Sequence, residues 1–276
     1  MTGSRNMRKG WLKALIVWLL SLFVLVPFLL VFLNSVKTQA EANNMDLSLP
    51  HNGVQWENYA IAMEEGKLIN AFKNSAIITL GTVAGIVVLC SLAAFVLSRN
   101  RSRLTKGLYL YLLIGMFGSI NMVTMVRILK ILHLNNTYLG TIFVYIALQT
   151  SFSIFLLYGF INSIPKEIDE AAIMDGCTGL KLFFKVIFPL LRPVIVTLII
   201  IIFMGTWSDF LIPLYSIGRT TMWPMTMAIF NFFGIYVNQW NLIYATIVLT
   251  VIPILIVYLV GQKYIISGMT AGAVKS

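Results

Sequence analysis

The residues able to do chemistry are few and concentrated in one place. The richest stretch is Ser163-Ile164-Pro165-Lys166-Glu167-Ile168-Asp169-Glu170-Ala171-Ala172-Ile173-Met174-Asp175-Gly176-Cys177, which continues through Lys181 and Lys185 to Phe188-Pro189-Leu190. Its acids have no histidine or second cysteine beside them. His51 and His133 lie elsewhere, without a carboxylate or cysteine at metal-ligand spacing. Cys90 sits in an apolar run and Cys177 in the charged stretch, so neither a disulfide framework nor a zinc spacing is present. No Gly-x-x-x-x-Gly-Lys-[Ser/Thr] loop exists to cradle nucleotide phosphates. One carboxylate, Asp209, stands alone late in an apolar run. No hydrolytic or redox constellation is visible, and the chain is read as non-catalytic.

The charged stretch has the marks of two short helices. Pro165 suits a first helical turn, and Glu167, Asp169 and Glu170 put negative charge at that helix's positive end. Gly176 is placed to stop it. A second helix is predicted from Leu180, Phe183, Phe184 and Ile187, which recur on one face, with Lys181 and Lys185 on the other. By shape alone an amphipathic loop lying on a membrane surface would fit as well.

The elements that must position this loop are transmembrane helices. Of 276 residues, 59% are hydrophobic and only 11% charged, where a soluble domain would carry about 25% charged residues. The mean hydropathy is +0.87. The net charge of +10 does not form a nucleic-acid face, because the basic residues fall in short segments between apolar runs, where they mark the cytoplasmic side. The apolar runs predict an all-α membrane protein with six transmembrane helices, at about 11–33, 71–97, 108–129, 139–160, 193–214 and 242–264. Arg99, Arg101, Arg103 and Lys106 are the clearest cytoplasmic marker. With residues 1–10, the loop 163–192 and the tail 265–276 also inside, both termini are cytoplasmic. Arg127 and Lys130 run against that rule at the outer end of span three. The first apolar stretch is too long for a signal-peptide core and is read as a retained span. Residues 34–73 are expected to form a polar outer loop, and 222–236 a re-entrant or surface-lying segment outside.

Glu170-Ala171-Ala172, then Asp175-Gly176, then nine residues before Val186-Ile187-Phe188-Pro189 resembles the EAA loop of the membrane subunits of ABC importers. Val186 and Phe188 stand where that family has isoleucine and leucine. The resemblance implies a type I ABC importer permease fold in a bacterial or archaeal cell membrane. It implies partners too: a second permease subunit, two ATPase subunits that bind the ATP and magnesium, and an extracytoplasmic binding protein. No cofactor is expected in this chain itself. It also implies that the loop is a coupling helix docking into the ATPase, with Glu170, Ala171, Ala172, Asp175 and Gly176 as its contacts. On the residues alone, Glu170 could equally cap a surface helix.

Further pieces resemble the maltose-type branch of sugar permeases: Asn58-Tyr59-Ala60, Asn74-Ser75, Leu134-Asn135-Asn136-Thr137, Trp207 to Leu214, and Gly268-Met269-Thr270-Ala271-Gly272-Ala273-Val274-Lys275. In that branch the tail reaches the ATPase interface, which makes Thr270, Gly272 and Lys275 a second contact unless they are simply a frayed terminus. A loop between the last two spans touches the binding protein there, and Trp223, Pro224 and Asn231 are the corresponding tip residues. The branch also carries prolines in span three. Here residues 116–126 have none, so no broken helix is expected, and Ser208 replaces an asparagine. Polar residues inside the membrane are candidates for the substrate pathway: Asn121, Thr124, Gln149, Ser151, Ser153 and Asp209, with Trp207 and Tyr215 as stacking surfaces. Each could instead hydrogen-bond a neighbouring helix. The competing functions are an autonomous secondary transporter, for which Asp209 is the one buried acid, a permease for a non-sugar solute, and a membrane scaffold.

Overall fold

The computed structural model describes residues 3–100, 102–234 and 238–273, with side chains from 17 to 264 apart from residue 19. The described residues form helices and no strands. They run α1 (Gly3–Ser35), α2 (Gln39–Ala42), α3 (Glu57–Glu65), α4 (Leu68–Arg99), α5 (Arg103–Gly115), α6 (Met122–Ile131) and α7 (Tyr138–Ser163). Then come α8 (Glu167–Met174), α9 (Gly179–Leu182), a π-helical turn (Phe183–Ile187), α10 (Phe188–Leu190), α11 (Arg192–Ser208), α12 (Leu211–Ser216) and α13 (Trp240–Ala273). Two short 3-10 helices, Thr220–Met222 and Met225–Phe232, lie between α12 and α13. Helices α4, α7 and the Trp240–Tyr264 part of α13 are long and apolar enough to cross a membrane. A fourth crossing is available if Gly179–Leu190 and Arg192–Ser208, bent by 77° at their junction, count as one.

Two spans expected to be continuous are broken. The third is interrupted between Gly115 and Met122, although it lacks the prolines that would ordinarily break it. Asparagine does the work instead: Asn121 adopts an extended backbone and its side chain accepts the Thr124 amide at 3.0 Å, starting α6 afresh. The fifth breaks at Asp209, whose carboxylate accepts the Leu211 and Ile212 amides, each at 3.2 Å, and so opens α12. The expected polar loop 34–73 is also more ordered than composition suggests, holding α2, α3 and the start of α4.

The chain divides into two compact units. One comprises Met1–Ile69 with Ala228–Val251. At its centre Lys37, fully buried, donates to Asp46 Oδ1 at 2.7 Å, Ser48 Oγ at 3.1 Å, Asn34 Oδ1 at 3.2 Å and the Asp46 carbonyl at 3.1 Å. These acceptors replace the water that a buried ammonium forfeits. Beside it Asn58, also buried, donates to the Ser35 and Lys37 carbonyls, and the Tyr59 hydroxyl meets Ser35 Oγ at 2.7 Å.

The other unit comprises Asn70–Met227 with Ile252–Ser276. Its main core joins α4, α7, the π turn and α11 through Ile86, Leu157, Ile161, Phe183, Ile187, Leu191, Val194 and Leu198. Lipid is as apolar as these side chains, so close packing rather than escape from solvent holds such helices together. Gly261 of α13 shows how close: a Cβ there would lie 2.9 Å from Ile200 Cγ1. A smaller cluster gathers Ile78, Met125, Leu129, Ile142, Tyr145, Ile212 and Ile217 around α6 and α12.

Candidate functional site

The charged loop folds as a short helix held at both ends. Pro165 precedes α8 by two residues instead of entering its first turn, and Lys166 occupies the N-cap position. Glu167, Asp169 and Glu170 occupy the first turn, where the helix's free amides favour negative charge. The other end closes with a Schellman motif. Gly176, at φ +78°, donates to the Ile173 carbonyl and Cys177 to that of Ala172, both at 2.9 Å.

Asp169 and Ala172, three residues apart, share the inward face of α8. Glu170, Ala171, Asp175 and Gly176 are exposed. Ala172 therefore packs on its own chain, unlike the other four expected contacts. Sequence reasoning missed an apolar component of the same surface: Ile173 is exposed, and Met174 is 87% exposed. The second helical piece also differs from expectation. Phe183 and Ile187 are buried, but Leu180 (65%) and Phe184 (49%) are not. The π turn sends the buried line from Phe183 through Ile187 to Leu191 in steps of four, and leaves Leu180 and Phe184 on the flank. Lys181 and Lys185 are exposed as predicted.

The residue that fixes α8 in place was read from sequence only as a topology marker. Arg99, the last residue of α4, lies with its Nε 2.5 Å from Asp169 Oδ2 and donates from Nη2 to Oδ1 at 3.2 Å. Its remaining donors reach the Ile161 and Ile164 carbonyls at the end of α7, at 3.4 and 3.3 Å. Both charged side chains are 13% exposed. A guanidinium suits this point, since its planar fork satisfies a carboxylate and two carbonyls at once. In sequence Arg99 stood only as the first of a basic cluster, just past the expected end of its span.

The pathway candidates do not converge. Asn121 and Thr124 lie on an open, mostly apolar groove of about 670 Å³, shared with Met125, Ile128, Leu132 and Phe143. Gln149 donates to Thr206 Oγ1 at 3.1 Å, and Ser153, buried, donates back to the Gln149 carbonyl at 2.6 Å. Ser151 is buried. Trp207 is buried and stacked on Phe203 at 5.3 Å between ring centroids, so its face is taken by its own chain and does not serve as a sugar platform here. Tyr215 keeps an exposed ring. Asp209 has found its partners: besides the two amides of α12, the Tyr145 hydroxyl donates to Oδ2 at 2.9 Å, and Thr226 donates to the Asp209 carbonyl at 3.0 Å. It ties a helix junction.

The segment between α12 and α13 is fastened from behind. Asn74 donates to the Thr221 and Trp223 carbonyls at 3.0 and 2.9 Å while accepting from Tyr138 at 2.7 Å, and Asn70 reaches Thr221 at 2.7 Å. Ser75 Oγ accepts the Met225 amide at 2.8 Å. Asn136 accepts the Gly218 amide and donates its own to the Ser216 carbonyl. Of the expected tip residues, Pro224 is buried and Trp223 half-buried. Asn231 is exposed, though its amide donates to the Gly66 carbonyl at 3.0 Å. Of the tail residues, Thr270 and Gly272 fall in the helical backbone of α13, and Lys275 lies outside the described residues.

The described residues thus give a helical chain with apolar helices long enough to cross a membrane and a short acid-rich helix on a charged loop. Residues 1–271 match the binding-protein-dependent transport system inner membrane component, and the chain belongs to that family. It is 32% identical over 253 residues to the melibiose/raffinose/stachyose import permease protein MelC of Bacillus subtilis, covering 91% of each chain. It is likewise 32% identical over 260 residues to the multiple sugar-binding transport system permease protein MsmG of Streptococcus mutans, covering 92% of this chain and 93% of that one. Among solved structures it resembles a chain of a bacterial ABC transporter involved in the import of the acidic polysaccharide alginate, with a TM-score of 0.82 at 20% identity, covering 96% and 98%. The fold is that of a type I ABC permease.

Proposed function

We propose that this chain is one of two permease subunits of an ATP-driven importer for a sugar or oligosaccharide handed over by an extracytoplasmic binding protein. The observation that carries this reading is α8: a short helix, closed by its Schellman motif and pinned by Arg99, that turns Glu170, Ala171 and Met174 outward on a loop of the family's EAA type. Two ATPase subunits, which hold the ATP and magnesium, grip this helix and rock the permease pair between inward- and outward-facing states. The chain crosses a bacterial or archaeal cell membrane six times with both termini inside; α5 with α6, and α11 with α12, each make one interrupted crossing. A sugar cargo follows from relatives whose names carry melibiose, raffinose, stachyose and multiple-sugar transport. The tail at Thr270, Gly272 and Lys275 supplies a second contact with the ATPase.

The test is purification of the wild type and of Glu170→Arg from gently solubilised membranes, with ATPase activity measured in each eluate. An ATPase accompanies the wild type and is lost or uncoupled in the variant. A wild type that brings down no ATPase defeats the importer reading and returns Asp209 to first place among residues to test.

A further inference from the structure

Helix α4 reaches the docking helix without any covalent link to it. Arg99 and Asp169 are 70 residues apart along the chain, yet their ion pair joins the last residue of α4 to the first turn of α8. The same guanidinium binds the last carbonyls of α7, and next to it Ser98 Oγ donates to Asn162 Oδ1 at 2.8 Å. Three helix ends therefore meet on one cation. The charges suit their places: Arg99 lies where two helices end in free carbonyls, and Asp169 where one begins with free amides.

This arrangement has a mechanical consequence. The backbone on either side of α8 is not helical, at Ile164–Lys166 and again at Asp175–Thr178. A short helix between two such joints would pivot when pushed. From the loop alone, its motion would pass to α7 through the first joint, and to α11 through the buried line Phe183, Ile187 and Leu191. Only the Arg99–Asp169 pair gives α4 an ionic grip on α8 among the described residues.

We propose that Arg99 and Asp169 form the strut that transmits displacement of α8 to α4, so that both long helices move with the docking helix instead of α7 alone. Arg99 is thus a positioning residue: it touches neither ATPase nor cargo, and acts through α8. The proposal rests on the reading of α8 as the ATPase-docking helix.

The experiment uses the full transporter, reconstituted with its ATPase and binding protein in liposomes, with the permease as wild type, Arg99→Gln, Asp169→Asn, Arg99→Lys and the swap Arg99→Asp with Asp169→Arg. Because Glu170, Ala171 and Met174 still face outward, the single variants keep their bound ATPase. Sugar uptake per ATP hydrolysed falls roughly tenfold in Arg99→Gln and Asp169→Asn. Arg99→Lys, which keeps the charge but loses the fork, falls less, and the swap, which sets an aspartate against the α7 carbonyls and an arginine at the positive end of α8, does not recover uptake. A role confined to folding would lower assembly and leave this ratio unchanged. The proposal is overturned if both neutral variants couple as the wild type does, or if they lose the ATPase altogether. Hydrogen exchange on the permease alone keeps the two readings separable. In Arg99→Gln the α8 amides exchange faster whether or not an ATPase binds, and unchanged exchange overturns the strut by itself. A wild type that binds no ATPase instead overturns the importer reading.

Discussion

Replacing Gly176 asks whether the backbone shape at the end of α8, apart from any side chain near it, sets how well the loop docks. The residue sits at φ +78°. A Cβ built there meets nothing within 4 Å, so a substitution brings no clash and its cost is purely conformational. For an ordinary L-residue that cost is about 1 kcal/mol, greater for a β-branched side chain and smaller for asparagine. One kcal/mol corresponds to roughly a fivefold change in an equilibrium constant. The strain weakens the two closing bonds, Gly176 to Ile173 and Cys177 to Ala172, which hold Glu170 and Ala171 at a fixed angle. If docking requires the closed form, Gly176→Ala weakens ATPase affinity about fivefold, Gly176→Asn about twofold, and Gly176→Val about tenfold or more. Titration of the ATPase against the permease in nanodiscs measures the series directly. Equal affinities for asparagine and valine would refute the argument, because only a loop free to leave the left-handed conformation treats them alike.

Asn74→Ala removes three hydrogen bonds at a buried point, taking a donor from the Trp223 carbonyl and the acceptor from the Tyr138 hydroxyl while the Thr221 carbonyl keeps Asn70; it costs roughly 2–4 kcal/mol. The loss is read as a lower melting temperature in detergent together with faster proteolysis within residues 216–227, and an unchanged melting temperature would show that water takes over these contacts. Asp46 gives a pH test. Its hydrogen bond to the Lys37 ammonium, with further help from the Ser48 hydroxyl and amide, lowers its carboxyl from 3.8 to about 2. A depressed carboxyl stabilises the fold fully above the unfolded value, and that contribution is lost as pH falls from about 4 to about 2. Unfolding of the wild type therefore steepens in that window and Asp46→Asn removes the steepening; parallel acid limbs would contradict it.

The sequence showed that the chain is helical and membrane-bound, and it located the charged loop, because long apolar runs and an acid-rich interruption are one-dimensional signals. It could not show where helices break without proline. At Asn121 and Asp209 a side chain substitutes for a missing backbone partner, and such a cap looks in sequence like any polar residue in an apolar run. For the same reason the hydrogen bonds by which Asp209 opens α12 were not legible in its position late in an apolar run. Trp207 read as a platform because burial by Phe203, Phe72 and the rest of its own bundle leaves no trace in local pattern. Arg99 was visible only as a charge on the inner side. Its partner is supplied by a helix 70 residues further on, and no local periodicity reports such a pairing.

The fastening of the segment between α12 and α13 bears on how such a subunit can change over generations. Asn70, Asn74, Ser75 and Asn136 hydrogen-bond its amides and carbonyls, at Gly218, Thr221, Trp223 and Met225, with Ser216 at the end of α12 held the same way. A mutation in that segment alters what it displays while leaving the clamps their grip. Diversification can then proceed at exposed positions of the segment, one substitution at a time, on a frame whose shape is inherited from residues elsewhere in the chain. The clamping positions carry the opposite burden: a change at Asn74 disturbs every variant of the segment alike.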